Sequence, residues 1–207
     1  MRRLHLDELR EGPSEEGARW LPVRAELGLR AFGASAYRGG PGETLVPRHD
    51  ETGGGAGRHE ELYVVVSGLA AFEVEGESFQ APAGTLLLVE PGEKRSARAE
   101  EPGTLVLVVG APVGEAYTIA PWEYGARASR ARALGDIDEL EAIVAEGIAA
   151  YGEHVTMLVA AACVAAQRGD RDGARALLER AYADPDFGDW AREEAATEPL
   201  LAPLRRG

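Results

Sequence analysis

Cysteine is almost absent from the sequence. Cys163 stands alone among 207 residues, so no disulfide can form within the chain. It lies in an apolar stretch from Val155 to Ala166, where a thiol packs as a small hydrophobic group. A chain without disulfides is typical of a reducing compartment, and we therefore expect a cytoplasmic protein.

Targeting and membrane segments are also missing. Met1, Arg2 and Arg3 open the chain, but no apolar signal core follows them, which predicts that the protein is not secreted. No run approaches the roughly 20 apolar residues that cross a bilayer, so we expect no membrane partner. The sequence has no phosphate-binding loop, nucleophile elbow, CxxC or HExxH motif.

Basic residues are scarce relative to acidic ones. The chain has 22 Lys and Arg against 35 Asp and Glu, which gives a formal net charge of -13. Such a chain repels phosphate backbones, so we expect no nucleic-acid partner. The hydrophobic fraction of 45% is ordinary for a folded protein and allows a sizeable core.

The composition of the sequence changes near Trp122. Before it, glycine and proline separate short runs of residues that favour β-strands. After it, proline is absent until Pro185 and alanine is the most frequent residue. We therefore predict a barrel domain over residues 1–120 and a helical tail over residues 121–207.

The front part reads as a succession of short strands. The clearest is Leu62 to Val66, which ends at Ser67 and Gly68. Strands spaced by about ten residues with Gly and Pro turns indicate a sandwich or a barrel, and no helix-length pattern interrupts them as a parallel α/β sheet would require. The other predicted strands cover residues 29–37, 70–74, 78–81, 85–89, 96–99 and 104–109.

The tail has helical periodicity and an internal repeat. Gly135-Asp136 and Gly169-Asp170 lie 34 positions apart, and Asp136 is a good N-cap, with Glu139 placed to close a capping box. This period, with small residues at the expected helix crossings, resembles the tetratricopeptide repeat. A generic helical hairpin is the alternative. Two repeats are too few to stand alone, so we expect them to pack on the barrel or on a second subunit.

Two segments of the front part resemble the cupin motifs. The stretch His59 to Gly68 looks like the first motif, which ends with a glutamate, six residues and a glycine, as Glu61 and Gly68 do. Pro82-Ala83-Gly84, followed by Glu90 to Arg95, is similar to the second. The resemblance covers residues 28–112. It implies a mainly β protein: a cupin-type antiparallel β-barrel (double-stranded β-helix or jelly roll) followed by an α-helical hairpin tail of tetratricopeptide-like repeats.

The resemblance also implies a metal centre with an altered ligand set. Cupins typically hold a divalent metal with three histidines and one glutamate, and such donors suit Fe, Mn, Ni or Zn. Here Glu61 occupies the glutamate position and His49 the first histidine position, one residue out of register. Glu51 stands where the second histidine belongs, and His59 could swing in across the compliant segment Gly53-Gly54-Gly55-Ala56-Gly57. The candidate metal ligands are His49, His59 and Glu61.

Arg95 stands where the resemblance places the last histidine. Arginine is always protonated and has no lone pair for a cation, so it would repel a metal. It could instead form an ion pair with Glu61, or hold a small anionic ligand such as a carboxylate. Tyr63 shares the strand parity of Glu61 and should also face inward. The candidate ligand-binding residues are Glu61, Tyr63 and Arg95.

Three hypotheses of different classes follow. The first is a binding or regulatory module, with a small molecule in the barrel and a protein partner on the tail. The second is a divalent-metal-dependent enzyme of the isomerase or dioxygenase type. The third is a structural role as a homodimer, which small cupins commonly form. Whether the chain is an enzyme stays open, because one barrel fold hosts many chemistries.

Overall fold

The computed structural model describes residues 1–11, 17–53 and 55–205, so Gly54 of the glycine-rich segment lies outside the described residues. The chain divides into two compact units, Met1–Ala120 and Pro121–Gly207. The first unit contains the strands and the second contains helices.

The described residues of the first unit form nine strands, with short turns between most of them. A 3₁₀ turn at Leu6–Glu8 and a short helix, α1, at Val23–Leu27 lie near its start. The strands are β1 (Arg19–Leu21), β2 (Gly33–Gly39), β3 (Thr44–His49), β4 (His59–Ser67), β5 (Leu69–Val74), β6 (Glu77–Pro82), β7 (Leu86–Val89), β8 (Arg95–Ala99) and β9 (Thr104–Pro112).

These strands form two antiparallel sheets. One has the order β1-β2-β9-β4-β7 and the other the order β3-β8-β5-β6. Apart from β1, the eight strands follow the order of a jelly roll, in which each sheet combines early and late strands of the barrel. The predicted antiparallel barrel is therefore confirmed at the level of architecture.

The core of the barrel lies between the two sheets. Successive residues of a strand face opposite sides, and β4 accordingly buries every second residue from His59 to Val65. Phe72 of β5 anchors this core, with its ring 5.6 Å from the ring of Tyr63 and 6.0 Å from that of Phe79. Both contacts fall within the range of favourable aromatic pairs.

A second apolar cluster lies on the opposite face of β2 and β9. Leu105, Leu107 and Val109 of β9 belong to it, whereas Val106 and Val108 point into the barrel core. Residues that precede β2 cover this face, among them Leu9 and Leu21. The outer side of these two strands is therefore buried.

The second unit is almost entirely helical. More of the described residues lie in helices than in strands, so the prediction of a mainly β chain is wrong for the whole protein. The tail is also larger than a hairpin. Its helices are α2 (Pro121–Leu134), α3 (Ile137–Tyr151), α4 (Val155–Gln167), α5 (Arg171–Tyr182), α6 (Gly188–Thr197) and α7 (Ala202–Arg205), with a 3₁₀ turn at Pro199–Leu201.

The helix starts follow the internal repeat. α3 and α5 begin 34 residues apart, at Ile137 and Arg171. Asp136 caps α3 by accepting from the Glu139 amide at 3.0 Å, so the predicted N-cap is confirmed. Asp170 caps α5 in the same way. The tetratricopeptide assignment itself stays a prediction.

Helix α4 is the central element of the helical unit. Cys163 on this helix is fully buried, as its apolar surroundings predicted. Burial, and next the negative charge of Glu198, raise the pKa of its thiol to about 12.

Among the described residues, no helix combines the length and the apolar character that a bilayer crossing requires.

Candidate functional site

Glu61 and Tyr63 project into the barrel from the same face of β4. Both are buried, at 9% and 1% relative exposure, so the predicted inward orientation is confirmed. Gly110 lies opposite Glu61 on β9. A Cβ atom at Gly110 would lie 3.0 Å from Cγ of Glu61, so the glycine makes room for the carboxylate side chain.

Arg95 begins β8 and points at this carboxylate. Its Nη2 donates to Oε2 of Glu61 at 2.6 Å and its Nε to the same oxygen at 3.2 Å. Nη1 donates to the backbone oxygen of Glu93 at 2.9 Å. The ion pair expected between Arg95 and Glu61 is confirmed, although both bonds reach one oxygen. The side chain of Arg95 is fully buried. A ligand could therefore contact Arg95 only if the arginine side chain broke its bonds to Glu61 and Glu93.

Tyr63 completes the network. Its hydroxyl donates to Oε2 of Glu61 at 2.5 Å and accepts from Nε of Arg95 at 3.2 Å. Burial, and next the negative charge of Glu61, raise the pKa of Tyr63 well above its usual value. Burial alone would lower the pKa of Arg95, but the charges and hydrogen bonds of Tyr63 and Glu61 outweigh it, and that pKa is raised. The network therefore keeps the Tyr63 hydroxyl protonated and the Arg95 guanidinium charged.

His49 and Glu51 approach the same carboxylate from the end of β3. His49 pairs with Arg95 in the register of β3 and β8. Its Nδ1 lies 2.7 Å from the carbonyl oxygen of Pro47, which can only accept, so we assign the proton to Nδ1. The lone pair is then on Nε2, which lies 3.6 Å from Oε1 of Glu51.

Glu51 is the functional candidate that sequence reasoning left out of the ligand set. Its side chain is buried, and its Oε2 accepts from the Gly57 amide at 2.8 Å. One ligand atom each from His49, Glu51 and Glu61 lies within 4.8 Å of the others, so this cluster could hold a metal ion. The signal was present in the sequence, because Glu51 stands at the position of the second cupin histidine.

His59 lies on the other side of Glu51 and outside that cluster. Its Nδ1 is 3.7 Å from Oε2 of Glu51, and its ring centroid is 5.4 Å from that of Tyr117. Its Nε2 is buried and, among the described residues, has no hydrogen-bond partner. A Cβ atom at Gly57 would lie 2.1 Å from this nitrogen, so the ring covers the glycine. The structure thus brings together two of the three predicted metal ligands, His49 and Glu61, and adds Glu51.

The donors of the cluster fit a divalent cation. One imidazole nitrogen and two carboxylates are donors that Mn, Fe, Ni and Zn accept. The bond from Nδ1 of His49 to Pro47 also fixes the ring with Nε2 available, as outer partners do in metal sites. Arg95 works against such a cation, because its positive charge already neutralises Glu61. The arrangement therefore predicts weaker metal binding than a site of three histidines and one glutamate.

Comparison with known proteins shows similarity of structure only. The chain matches no protein-family model and no curated protein sequence. Among solved structures it is similar to KdgF from Halomonas sp. (24% identity, 51% of this chain and 90% of that chain, TM-score 0.44). It is also similar to a cupin protein from Bacteroides fragilis (21%, 54% and 91%, TM-score 0.40) and to a predicted oxalate decarboxylase from Thermotoga maritima (16%, 54% and 100%, TM-score 0.45). These matches assign neither a ligand nor a reaction.

Proposed function

We propose that the barrel is a small-molecule-binding or regulatory module of the cupin type whose metal site has been weakened. The observation that carries this proposal is the buried ion pair, with Nη2 of Arg95 2.6 Å from Oε2 of Glu61. A guanidinium occupies the place that a histidine ligand would need. Since the carboxylate is already paired, a metal ion would have to compete with a permanent charge.

The charges of the site bear on the class of ligand. Glu51 and Glu61 are both buried, and Arg95 is the cation that faces Glu61. With its charge engaged in this way, Arg95 offers little to an anion. The geometry therefore favours a neutral or cationic small molecule over the anionic ligand that Arg95 alone suggested.

Elemental analysis of the purified full chain tests the proposal. We expect Fe, Mn, Ni and Zn well below one ion per chain. Arg95→His should raise the retained metal, because it restores a donor in place of a charge, whereas Arg95→Gln removes the charge without adding an imidazole and should raise it less. Stoichiometric metal in the wild-type protein would overturn the proposal.

A divalent-metal-dependent enzyme of the isomerase or dioxygenase type is the second candidate. The proximity of His49, Glu51 and Glu61 favours it. A bound divalent ion would supply Lewis-acid chemistry, and these three side chains would hold it. Titration with Mn²⁺ or Zn²⁺ followed by calorimetry should then show binding that Glu51→Gln abolishes and His154→Ala, a change at an exposed histidine, leaves intact. Equal binding in both variants would count against this candidate.

We further propose that the helical unit contacts a protein partner. Leu134, Tyr151 and Phe187 are apolar side chains of this unit that are 44–50% exposed. Cross-linking in a cell lysate, followed by mass spectrometry, should yield adducts on this unit that Phe187→Ser diminishes. Adducts confined to the barrel unit would contradict this part of the proposal.

A further inference from the structure

A groove of about 430 Å³ lies on the outer side of the sheet β3-β8-β5-β6. Strand alternation turns Phe72 and Ala97 into the barrel core, so their neighbours along the chain face outward into the groove. We call this depression the outer groove. Its outward-facing side chains are Thr44 of β3, Ser96 and Arg98 of β8, Ala71 and Glu73 of β5, and Ser78 and Gln80 of β6.

The strand register arranges the side chains of the outer groove in two rows. In one row, Ala71 lies between Arg98 and Gln80, and in the other, Glu73 lies between Ser96 and Ser78. Neighbours within a row are about 4.8 Å apart, and the two rows are about 7 Å apart along the strands. Because alanine has the shortest side chain of the set, it leaves a depression between the guanidinium and the amide.

Several polar side chains of the outer groove are available to a ligand. Among the described residues, the side chains of Thr44, Ser78, Gln80 and Ser96 have no hydrogen-bond partner. Three hydroxyls and one amide thus offer both donors and acceptors. A ligand that carries donors and acceptors of its own can replace the water that such groups bind in solution.

The charged side chains of the outer groove are already paired. Arg98 donates to Glu100 at 3.1 and 3.3 Å, and Glu73 accepts from Arg48. Of the groove residues that the structure describes, none offers an unpaired charge to an anion or to a cation. This part of the surface is therefore close to neutral, although the chain has a formal net charge of -13. The charge pattern favours an uncharged ligand.

We propose that the outer groove binds a neutral, polyhydroxylated molecule of saccharide size. Each hydroxyl of a sugar both donates and accepts, which matches Ser78 and Ser96 on either side of the Glu73 carboxylate. The volume falls within the range of about 300–1,000 Å³ that is usual for small-molecule sites. The groove is separate from Glu61, whose side chain is buried inside the barrel, so this site needs no metal ion.

Nuclear magnetic resonance of the full chain tests the proposal. The probes are glucose, galactose, maltose and cellobiose, each titrated into the tens of millimolar. We expect at least one of them to shift the Gln80 side-chain amide and the Ala71 methyl signals in a saturable way, whereas inorganic phosphate should shift neither. If no sugar gives a saturable shift of these signals, or if phosphate does, the proposal is wrong.

Two alanine positions provide a variant and its matched control. Ala71→Ile fills the depression and should weaken binding of the sugar at least tenfold, while a β-branched side chain still suits a strand. Ala111 is a partly exposed alanine of β9 in the other sheet, and Ala111→Ile should bind as the wild type does. Equal affinity in the two variants would contradict the proposed site.

Gln80→Leu is a second variant, at an exposed position of the edge strand β6. It removes an amide that makes no contact needed by the fold, so circular dichroism should match that of the wild type. Binding of the sugar should weaken several-fold, because the amide both donates and accepts. Unchanged affinity in Gln80→Leu would count against the outer groove as the site.

Discussion

At the scale of single residues, the network of Arg95, Glu61 and Tyr63 withdraws two charges from water and must satisfy them internally. Arg95→Leu would leave the Glu61 carboxylate buried without its cation, and we expect a loss of about 3–5 kcal/mol in the free energy of unfolding. Tyr63→Phe removes the hydroxyl that donates to this buried carboxylate and should cost about 1.5–3 kcal/mol, as hydrogen bonds to charged groups do. Chemical denaturation measures both.

The matched control lies on the same strand. Arg98 forms an ion pair with Glu100, but its side chain is 58% exposed. Arg98→Leu should therefore change the free energy of unfolding by less than about 1 kcal/mol, as exposed ion pairs do. If Arg95→Leu costs no more than Arg98→Leu, the buried network does not stabilise the fold.

The buried thiol of Cys163 should lower the free energy of unfolding at alkaline pH. The unfolded chain loses the thiol proton near pH 9, whereas the folded chain keeps it up to a pKa of about 12. Between these values the unfolded state binds fewer protons, so stability decreases as the pH rises, by about 4 kcal/mol over the full interval. Denaturation of wild type and Cys163→Ala at pH 8 to 11 should show a steeper decline in the wild type. Parallel declines would contradict this assignment.

Part of the candidate site followed from the cupin resemblance together with strand alternation. The resemblance placed Glu61 inside the barrel, and Tyr63, two residues further along the same strand, then faces the same side by alternation. The positions of Glu51 and His59 depend on the segment between β3 and β4, whose backbone no periodicity describes. Arg58 there adopts a positive φ of 55°, and Glu51 accepts from the Gly57 amide. These local contacts, which the sequence pattern does not reveal, determine that Glu51 and not His59 lies beside His49 and Glu61.

At the scale of elements, the turn between β4 and β5 makes Gly68 necessary. Its φ is +73°, and an added Cβ would lie 2.8 Å from Cα of Thr104. Gly68→Ala should therefore cost about 2–4 kcal/mol, from backbone strain together with overpacking. Gly76, with φ +84° and open space around it, carries only the strain, and Gly76→Ala should cost about 1 kcal/mol. Thermal denaturation compares the two, and equal costs would contradict the proposed collision.

The elements that sequence reasoning missed have physical causes. β3 contains Pro47, which argues against a strand, yet the register shifts on both sides of Val46 accommodate it. The strand predicted over residues 29–37 begins later, at Gly33, because Gly28 ends α1 in a left-handed conformation. The strands β4 and β9 could be predicted from their apolar runs, because each lies between two neighbouring strands of its sheet.

At the scale of the whole molecule, the net acidic charge opposes the homodimer that the sequence predicts. If two copies of the chain associate, each brings a formal charge of -13, and added salt screens their repulsion. The dissociation constant of the dimer should therefore decrease between 50 and 500 mM NaCl, as sedimentation equilibrium can measure. An association that weakens with salt would indicate an interface held by ion pairs.

The pairing of β2 with β9 has a consequence for the time course of folding. Gly33 lies beside Gly110, so the sheet closes only after two segments more than 70 residues apart have met. In the helical unit, by contrast, neighbours along the chain pack together, and such contacts form early. After dilution from denaturant, helical ellipticity should return before the fluorescence of Trp20, observed alone in a W122F/W190F background, reports the buried bond to Ser35. A nascent chain, likewise, can complete its barrel only once β9 has emerged from the ribosome.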